Sequence, residues 1–195
     1  MGLQRVTAAT AKPISRQEVK SHLNLQGTTQ DDCLIDDLID SAVDYVERVV
    51  SGGKALSTQT WDWVLPEFPG DSFELPKPPL SSVTHIKYFD ADNTQQTLSS
   101  TASDFYVVTG TYAPGSVSAP STAPWPSVYD RPDSVTIRFV CGTTGEAEPT
   151  LRQAIRMLVA HWYEHRESEV LGTISTEVKM GLERLLVANN PGVYF

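Results

Sequence analysis

The sequence predicts an α+β protein: mainly a helical bundle, with an inserted small antiparallel β subdomain and a long proline-rich loop. Apolar residues recur at helical spacing near both ends of the chain, whereas strand-like alternation is confined to its middle. Prolines at 114, 120, 124, 126 and 132 interrupt the later part of that middle. Helices followed by strands and then by helices are typical of the α+β class. The chain has 195 residues, enough to bury a core without metal or disulfide staples.

Composition argues against several classes of protein. The formal net charge of −9 argues against a general nucleic-acid binder, since phosphate contacts need clustered Lys and Arg. No stretch approaches the roughly 20 apolar residues of a membrane-spanning helix, and the first residues lack the apolar core of a signal peptide. Cys33 and Cys141 lie far apart in the sequence, so we expect two free thiols in a reducing cytoplasm. These features predict a soluble protein made in the cytoplasm.

Five segments follow from the patterns of hydrophobic, proline and glycine residues. The first and last helices are expected to form one bundle, with the strands inserted between them. The segments are an N-terminal arm at 1–13, N-terminal helices of the bundle at 14–56, the β subdomain at 57–145 with its loop at 109–134, C-terminal helices of the bundle at 146–188, and a tail at 189–195.

Two helices are expected before the strands. Ser15 and Glu18 form a capping-box pattern that begins a short helix reaching about Leu23. A longer helix begins near Asp31 and ends before the glycine pair 52–53. Its apolar residues cover one side of the helix, and its acidic residues fall together on the other, where the simplest interpretation is solvated surface. The apolar set is Leu34, Ile35, Leu38, Ile39, Ala42, Val43, Val46, Val49 and Val50; the acidic set is Asp36, Asp37, Asp40, Asp44 and Glu47.

Strand-like alternation marks four places in the middle of the chain: 60–65, 83–89, 105–108 and 135–140. The loop at 109–134 is longer than most connections in a compact domain, which is typical of a functional or disordered segment. A tryptophan stands between two prolines of this loop, and it either covers the edge of its own core or contacts a partner.

The helix that follows the strands supports two incompatible interpretations. His161, Glu164 and His165 form the H-x-x-E-H pattern of some zinc peptidases. The two histidines share a face, but helical projection places His165 on the apolar side with Trp162, and no residue is marked out as a further ligand. The competing interpretation is a packing helix. We favour the packing helix, and expect no metal, no cofactor and no enzyme activity.

Several short segments follow one another in a defined order. They are 42–47 (AVDYVE), 58–62 (TQTWD), 75–83 (LPKPPLSSV), 86–90 (IKYFD), 124–126 (PWP) ahead of the strand 135–140, and 158–167 (LVAHWYEHRE). In this ordered set the chain, from about Ser15 to Leu186, resembles the head–tail connector, or adaptor, family of long-tailed bacteriophages and gene-transfer agents. It departs from that family at His165, where similar proteins tend to have Asn, and at 141–143.

The resemblance implies a structural subunit rather than an enzyme. Such subunits form a ring under the portal protein, extend the DNA channel and provide a platform for a tail-side stopper or other neck protein. The implied assembly is a dodecamer in the neck of the virion, between capsid and tail, built from subunits made in the host cytoplasm. DNA would pass through without specific binding, and no membrane would be involved.

Four groups of residues are candidates for roles in such a ring. The acidic face of the long helix is expected to line the channel or to meet Arg152, Arg156 or Arg184 of a neighbouring subunit. The apolar C-terminus is expected to bind the portal, the long loop to contact neighbours or the tail-side ring, and two residues of the packing helix to hold the bundle together. The residues are Asp36, Asp40, Asp44 and Glu47 for the channel or neighbour; Leu185, Leu186, Val193, Tyr194 and Phe195 for the portal; Tyr112, Trp125 and Tyr129 for the loop; and Leu158 and Trp162 for the bundle.

Two competing functions remain open at this point. The first is a zinc-dependent hydrolase that uses the H-x-x-E-H helix, and bound zinc would favour it. The second is a carbohydrate- or protein-binding module that uses Trp61, Trp63 and Trp125, and it predicts a stable monomer with affinity for a ligand.

Overall fold

A computed structural model describes residues 2–99, 104–110, 114–121, 123–144, 147–165 and 181. The chain forms two compact units, which we call the β unit (Met1–Thr10 and Ser57–Thr144) and the helical unit (Ala11–Leu56 and Gly145–Phe195). Among the described residues, none of the helices combines the length and apolarity that a membrane span requires.

The expectation of a mainly helical bundle with a small β insertion is wrong. The described residues form eight strands in two antiparallel sheets and three α-helices, so the protein is mainly β. The strands are β1 (Gly2–Thr7), β2 (Gln59–Leu65), β3 (Ser72–Glu74), β4 (Leu80–Phe89), β5 (Gln95–Leu98), β6 (Tyr106–Val108), β7 (Ser116–Ser118) and β8 (Val135–Cys141). The helices are α1 (Arg16–His22), α2 (Asp32–Tyr45) and α3 (Pro149–Glu164), and a π-helical turn, Val46–Val50, continues α2.

The β content was underestimated because half of the strands lack a pattern of their own. Strands β2, β4, β6 and β8 lie where alternation predicts them. The other four are short or polar, and β1 falls in the segment expected to be an irregular arm. A short strand that carries Gly or Ser has little intrinsic preference for the extended state. These segments become strands because the backbone of another segment pairs with them. Strand β2 pairs with β1 in this way, beginning with Val64 opposite Gly2.

The two sheets of the β unit share one apolar core. The strand order is β1-β2-β8-β4-β5 in the larger sheet and β3-β7-β6 in the smaller. Alternate residues of β8 are buried, so one face of the larger sheet points inward. The sheets meet where Trp63 of β2 packs edge-on against Phe73 of β3, with 6.0 Å between ring centroids. The buried apolar residues of this unit include Leu65, Phe73, Leu75, Leu80, Val83, Ile86, Phe105, Val117, Val135, Ile137, Phe139 and Cys141.

Close approach of two backbone segments explains one glycine of the β unit. Gly142 follows β8 with φ of +91°, and a Cβ built on it would lie 2.1 Å from the backbone O of Ser57. Only a residue without a side chain fits this position without displacing the backbone.

The helical unit begins with the predicted capping box. The Glu18 backbone N–H donates to the Ser15 Oγ at 3.2 Å, and the Ser15 N–H donates to the Glu18 carboxylate at 3.0 Å. Helix α3 begins with Pro149 in its first turn, as predicted. The core of the unit comes from α1, α2, α3 and the segments beside them: Ile14, Val19, Ile35, Ile39, Ala42, Val46, Leu56, Ala147, Leu151, Ala154, Ile155, Leu158 and Val159.

The π-helical turn changes which residues face the core at the end of α2. The Ser51 N–H donates to the Val46 carbonyl, five residues earlier, at 2.8 Å. A π turn holds more residues than an α turn, so projection at 100° per residue no longer applies beyond Val46. Glu47, expected on the acidic face, is therefore buried, and Val49, expected on the apolar face, is 56% exposed.

Candidate functional site

Part of the acidic face of α2 takes part in a ladder of ion pairs within the subunit. Lys12 Nζ lies 2.7 Å from Asp40 Oδ1, and Lys20 Nζ lies 2.6 Å from Asp32 Oδ1. Between them, Arg16 Nε donates to Asp36 Oδ1 at 3.0 Å, and its Nη1 donates to Asp32 Oδ2, also at 3.0 Å. The cations and the carboxylates are each spaced four residues apart and run in opposite directions. We call these six residues the ion-pair ladder.

The ladder favours the ionised form of two of its carboxylates, Asp32 and Asp36. The Lys20 ammonium, which donates to the carboxylate, lowers the pKa of Asp32, and the Arg16 guanidinium does the same for the pKa of Asp36. Hydrogen bonding to Asp36 in turn raises the pKa of the Arg16 guanidinium. Each ion pair of the ladder therefore carries little net charge, and this face of α2 is less acidic than its sequence indicates.

Two further members of the predicted acidic face have different surroundings. Asp44 is paired with Arg48 on the next turn at 2.9 Å, and both side chains are more than half exposed. Glu47 is buried, and its Oε1 accepts a hydrogen bond from the Leu56 N–H at 2.8 Å. Glu47 therefore holds the chain that leaves the π turn and does not face outward.

Two arginines expected to reach a neighbouring subunit have a partner in their own. Arg152 Nη1 and Arg156 Nη2, one turn apart on α3, donate to Glu18 Oε1 at 3.3 and 2.9 Å. The Ser15 backbone N–H and then the two arginines lower the pKa of Glu18. The third candidate, Arg184, lies outside the described residues.

The long loop is attached to its own unit by Trp125. The indole stacks on Phe68, with 4.6 Å between ring centroids and 5° between planes, and Nε1 donates to the Gly70 carbonyl at 2.8 Å. Trp125 therefore covers the edge of the core of its own unit, which is one of its two predicted roles. Tyr129 is fixed through its backbone, whose N–H donates to Phe89 O at 2.9 Å, while 42% of the residue stays exposed. Tyr112 lies outside the described residues.

The two histidines of the H-x-x-E-H pattern are placed opposite to the projection. His161 is buried, whereas His165 is exposed, because α3 ends at Glu164 and His165 has φ −112° and ψ 77°. The two rings stand 4.7 Å apart, and His165 Nδ1 lies 3.0 Å from the carbonyl O of His161. Glu164 is exposed. Within the part of the chain that the structure describes, no group of three His, Cys, Asp or Glu residues could hold a metal ion.

Leu158 and Trp162, the candidates for bundle packing, both contact the helical core. Leu158 is completely buried. Trp162 is partly buried and meets Tyr45 edge-on, with 6.3 Å between ring centroids and 88° between planes. One residue on, the Tyr163 hydroxyl donates to Asp31 at 2.6 Å, so α3 also holds the start of α2.

The similarity of this chain to known proteins distinguishes among the candidate functions. A model of the family described as head completion protein matches residues 12–178. The chain belongs to the head completion protein family. The resemblance to phage head–tail connector proteins is thereby confirmed, and the chain is a structural protein of the virion rather than an enzyme. The histidine pair is accordingly part of a packing helix.

Solved structures with the same fold come from gene transfer agents. One chain, from the neck of an empty GTA particle computed with C6 symmetry, has 24% identity and a TM-score of 0.74, covering 100% of this chain and 98% of that one. Another, from the virion of a native gene transfer agent particle, has 23% identity, the same coverage and a TM-score of 0.75. A third, from the neck of a native GTA particle computed with C12 symmetry, has 24% identity, the same coverage and a TM-score of 0.72. At these identities the likeness establishes the fold. No curated protein sequence matches the chain.

The portal-binding candidates lie outside the described residues: Leu185, Leu186, Val193, Tyr194 and Phe195. The main feature that sequence reasoning missed is the set of cations in the ion-pair ladder. Its signal is present in the sequence, since basic residues at 12, 16 and 20 have the spacing of the acids at 32, 36 and 40. Helical projection of α2 alone conceals it, because the cations precede that helix.

Proposed function

We propose that this protein is a ring-forming subunit of the virion neck, placed under the portal protein, where it extends the DNA channel. The observation that carries the proposal is membership of the head completion family over residues 12–178. The shared fold with chains from GTA necks supports it over the whole length of the chain.

The proposed assembly is a dodecamer with a tail-side stopper or other neck protein on its far side. The structures of similar fold include a neck computed with C12 symmetry, which favours this number of subunits. A closed ring repeats one heterologous interface around its axis. Each subunit then presents two different surfaces to its two neighbours.

DNA is proposed to pass through the ring without specific binding. Twelve copies of a chain with a net charge of −9 carry roughly a hundred negative charges, which disfavours adhesion of DNA phosphates. Because the ion-pair ladder compensates three acids of α2, this repulsion comes from the subunit as a whole. We retain Asp40 and Asp44, whose side chains are 63% and 56% exposed, as candidates for the channel or a neighbour.

Charge reversal at Asp40 and Asp44 tests this candidate. Asp40→Lys with Asp44→Lys is expected to impair DNA passage or ring assembly, measured as infectious or transducing titre and as rings in electron micrographs. Asp37→Lys is the matched control, since Asp37 is an exposed acid of the same helix. Normal titre with normal rings in the double variant would remove these acids from the proposal.

Portal binding is proposed for the apolar C-terminus, including Leu185, Leu186, Val193, Tyr194 and Phe195. Deletion of 188–195 is expected to abolish attachment to the portal while leaving the circular dichroism spectrum unchanged. Attachment of the truncated chain with full affinity would contradict this role. In the loop 109–134, Tyr129 is the described candidate for a neighbour or the tail-side ring, because Trp125 is occupied within its own unit.

The central experiment is electron microscopy of the protein mixed with its portal. We expect ring-shaped density on the narrow end of the portal, with the symmetry of one subunit per portal subunit. A protein that stays monomeric and unbound at micromolar concentrations of both partners would contradict the proposed function. Metal analysis of the same sample is the check on the hydrolase alternative, which requires stoichiometric zinc.

A further inference from the structure

The β unit has two sides that differ from one another, each formed by one edge strand of either sheet. Among the described residues, β1 and β5 of the larger sheet have a hydrogen-bonded partner on one side only, and the same holds for β3 and β6 of the smaller sheet. Strand β3 lies over β2, the neighbour of β1, since Phe73 contacts Trp63. At the other side, β6 follows β5, since the Ser99 N–H donates to the Asp104 carboxylate at 2.9 Å. Strands β1 and β6 therefore lie on opposite sides of the unit.

Both of these sides carry exposed apolar residues. Tyr106 and Val108 of β6 are 58% and 62% exposed, and Val6 of β1 is 46% exposed. Val107, between the first two, pairs with the buried Val117, so Tyr106 and Val108 point away from the core. These three residues are among the five large hydrophobics of the described chain that are exposed. Folded monomers usually protect an open edge with charges, prolines or a covering segment.

The two sides of the larger sheet carry different charges. Strand β1 carries Arg5 and no acid. The Arg5 guanidinium lies 6.0 Å from the Trp61 ring, and no described carboxylate is paired with it. On the far side, the turn between β4 and β5 carries Asp90 and Asp92, and β5 itself carries no charge. Asp90 bonds to its own turn, whereas the Asp92 side chain is exposed and has no partner among the described residues. The β5 side also includes Lys87 of β4 and Arg131, which donates to Asn93 of the turn at 3.4 Å and is paired with Asp133.

We propose that the β1 side of one copy packs against the β5–β6 side of the next copy, and that this contact is the repeating interface of the ring. The inference rests on the proposed function, because a ring requires a heterologous contact between two different surfaces. The two sides supply such a pair of surfaces. They are distinct, they lie on opposite sides of the β unit, and both expose apolar residues, with Arg5 on one side and Asp90 and Asp92 on the other. Pairing them covers Val6, Tyr106 and Val108 and brings Arg5 towards the acidic turn.

Removal of the apolar contact is the first test. The double variant Tyr106→Ser with Val108→Ser changes two exposed side chains, so its thermal unfolding is expected to match that of the unmodified chain. The fraction of subunits found in rings on the portal is expected to fall at least about tenfold, because even a small loss of interface free energy changes the association constant by that factor. The matched control is Val49→Ser, an equally exposed valine of the helical unit, which is expected to assemble normally.

Cross-linking tests the geometry directly. In a Cys33→Ser background, which removes the exposed native thiol, Gln4→Cys on β1 and Thr97→Cys on β5 are introduced together. A short bis-maleimide added to portal-bound rings is expected to give a ladder of covalent oligomers in the double variant. Either cysteine alone is expected to give none.

The outcomes separate this inference from the proposed function. Rings without a cross-linked ladder, or rings formed at full yield by the Tyr106/Val108 double variant, overturn the interface and leave the proposed function standing. Loss of rings in the Val49→Ser control as well also overturns the assignment to this edge. If the unmodified chain forms no ring with the portal, the proposed function and the interface fail together.

Discussion

Within the helical unit, α1 and α2 are joined by contacts of short range along the sequence, whereas within the β unit most strand pairings join distant segments. In the helical unit the ion-pair ladder joins residues 12 to 28 positions apart, from Lys20 with Asp32 to Lys12 with Asp40. Helix α3 adds contacts of longer range to this unit, as Arg152 and Arg156 do with Glu18. In the β unit Arg138 joins Asp62 across 76 positions, and Gly2 pairs with Val64. The first kind of contact follows from residue spacing along neighbouring helices. The second kind depends on which distant segments meet, so a strand can form where its own sequence barely favours one.

The glycines of the two units show the same contrast. Gly52 and Gly53 close the π turn of the helical unit with positive φ, and a Cβ on either would meet nothing within 4 Å. Gly142 of the β unit has positive φ and lies against the backbone of Ser57. Gly52 and Gly53 thus serve their own turn, whereas Gly142 serves a contact with a distant segment.

The largest effect is expected from a cavity in the helical core. Leu158→Ala removes a completely buried side chain and is expected to lower the free energy of unfolding by about 2–5 kcal/mol. Urea denaturation followed by the fluorescence of Trp162, the tryptophan of this unit, measures the change. Val49→Ala is the control and is expected to change the free energy by less than about 0.5 kcal/mol, because Val49 is exposed. Equal losses would mean that the buried cluster is not the core of this unit.

A smaller effect is expected from adding a methyl group to the glycine of the β unit. Gly142→Ala combines a positive φ with a clash against the Ser57 carbonyl and is expected to cost about 3 kcal/mol in the free energy of unfolding. Gly52→Ala has the positive φ without the clash and is expected to cost about 1 kcal/mol. Thermal unfolding of the two variants side by side isolates the contribution of the close contact. Similar losses of stability in the two variants would show that the positive φ alone accounts for the cost at both positions.

The smallest effect is expected from acid titration of the ion-pair ladder. Asp32 and Asp36 have pKa values below their usual range when folded, because Lys20 and Arg16 bond to the carboxylates. The unfolded chain then binds protons before the folded chain as pH falls, so the stabilisation is full above about pH 5 and is lost progressively below about pH 4. Arg16→Gln is expected to reduce the acid dependence of the melting temperature. An unchanged acid dependence would contradict a stabilising role for the ladder.

The features predicted correctly are those encoded within about one helical turn or one strand. The Ser15–Glu18 capping box is an example, since its partners are three residues apart and form the same bonds wherever the helix is placed. Pro149 at the first turn of α3 and the alternation of β8 are others. Family membership was also predictable, because an ordered set of short segments persists even where each segment alone is a weak signal.

The errors of helical projection arose where a regular period stops. The π turn at Val46–Val50 moved Glu47 inward and Val49 outward, and the end of α3 at Glu164 left the exposed His165 off the helix. Projection assumes a continuous helix, so it fails at either interruption. For the candidate site, projection of α2 identified Asp36 and Asp40 but not Asp32, and it could not place the cations of 12–20 opposite them.

The sequence by itself determined the local turns, the amphipathic faces, the absence of a catalytic motif other than the H-x-x-E-H pattern, and membership of the connector family. Tertiary structure alone decided that the protein is mainly β, that Trp125 stacks on its own unit, and that Asp32, Asp36 and Asp40 are paired with cations of the same subunit. The physical reason is the separation along the sequence of the residues that interact. Backbone conformation and side-chain periodicity follow from neighbours in sequence, whereas strand pairing and charge compensation depend on partners that only the folded chain brings together.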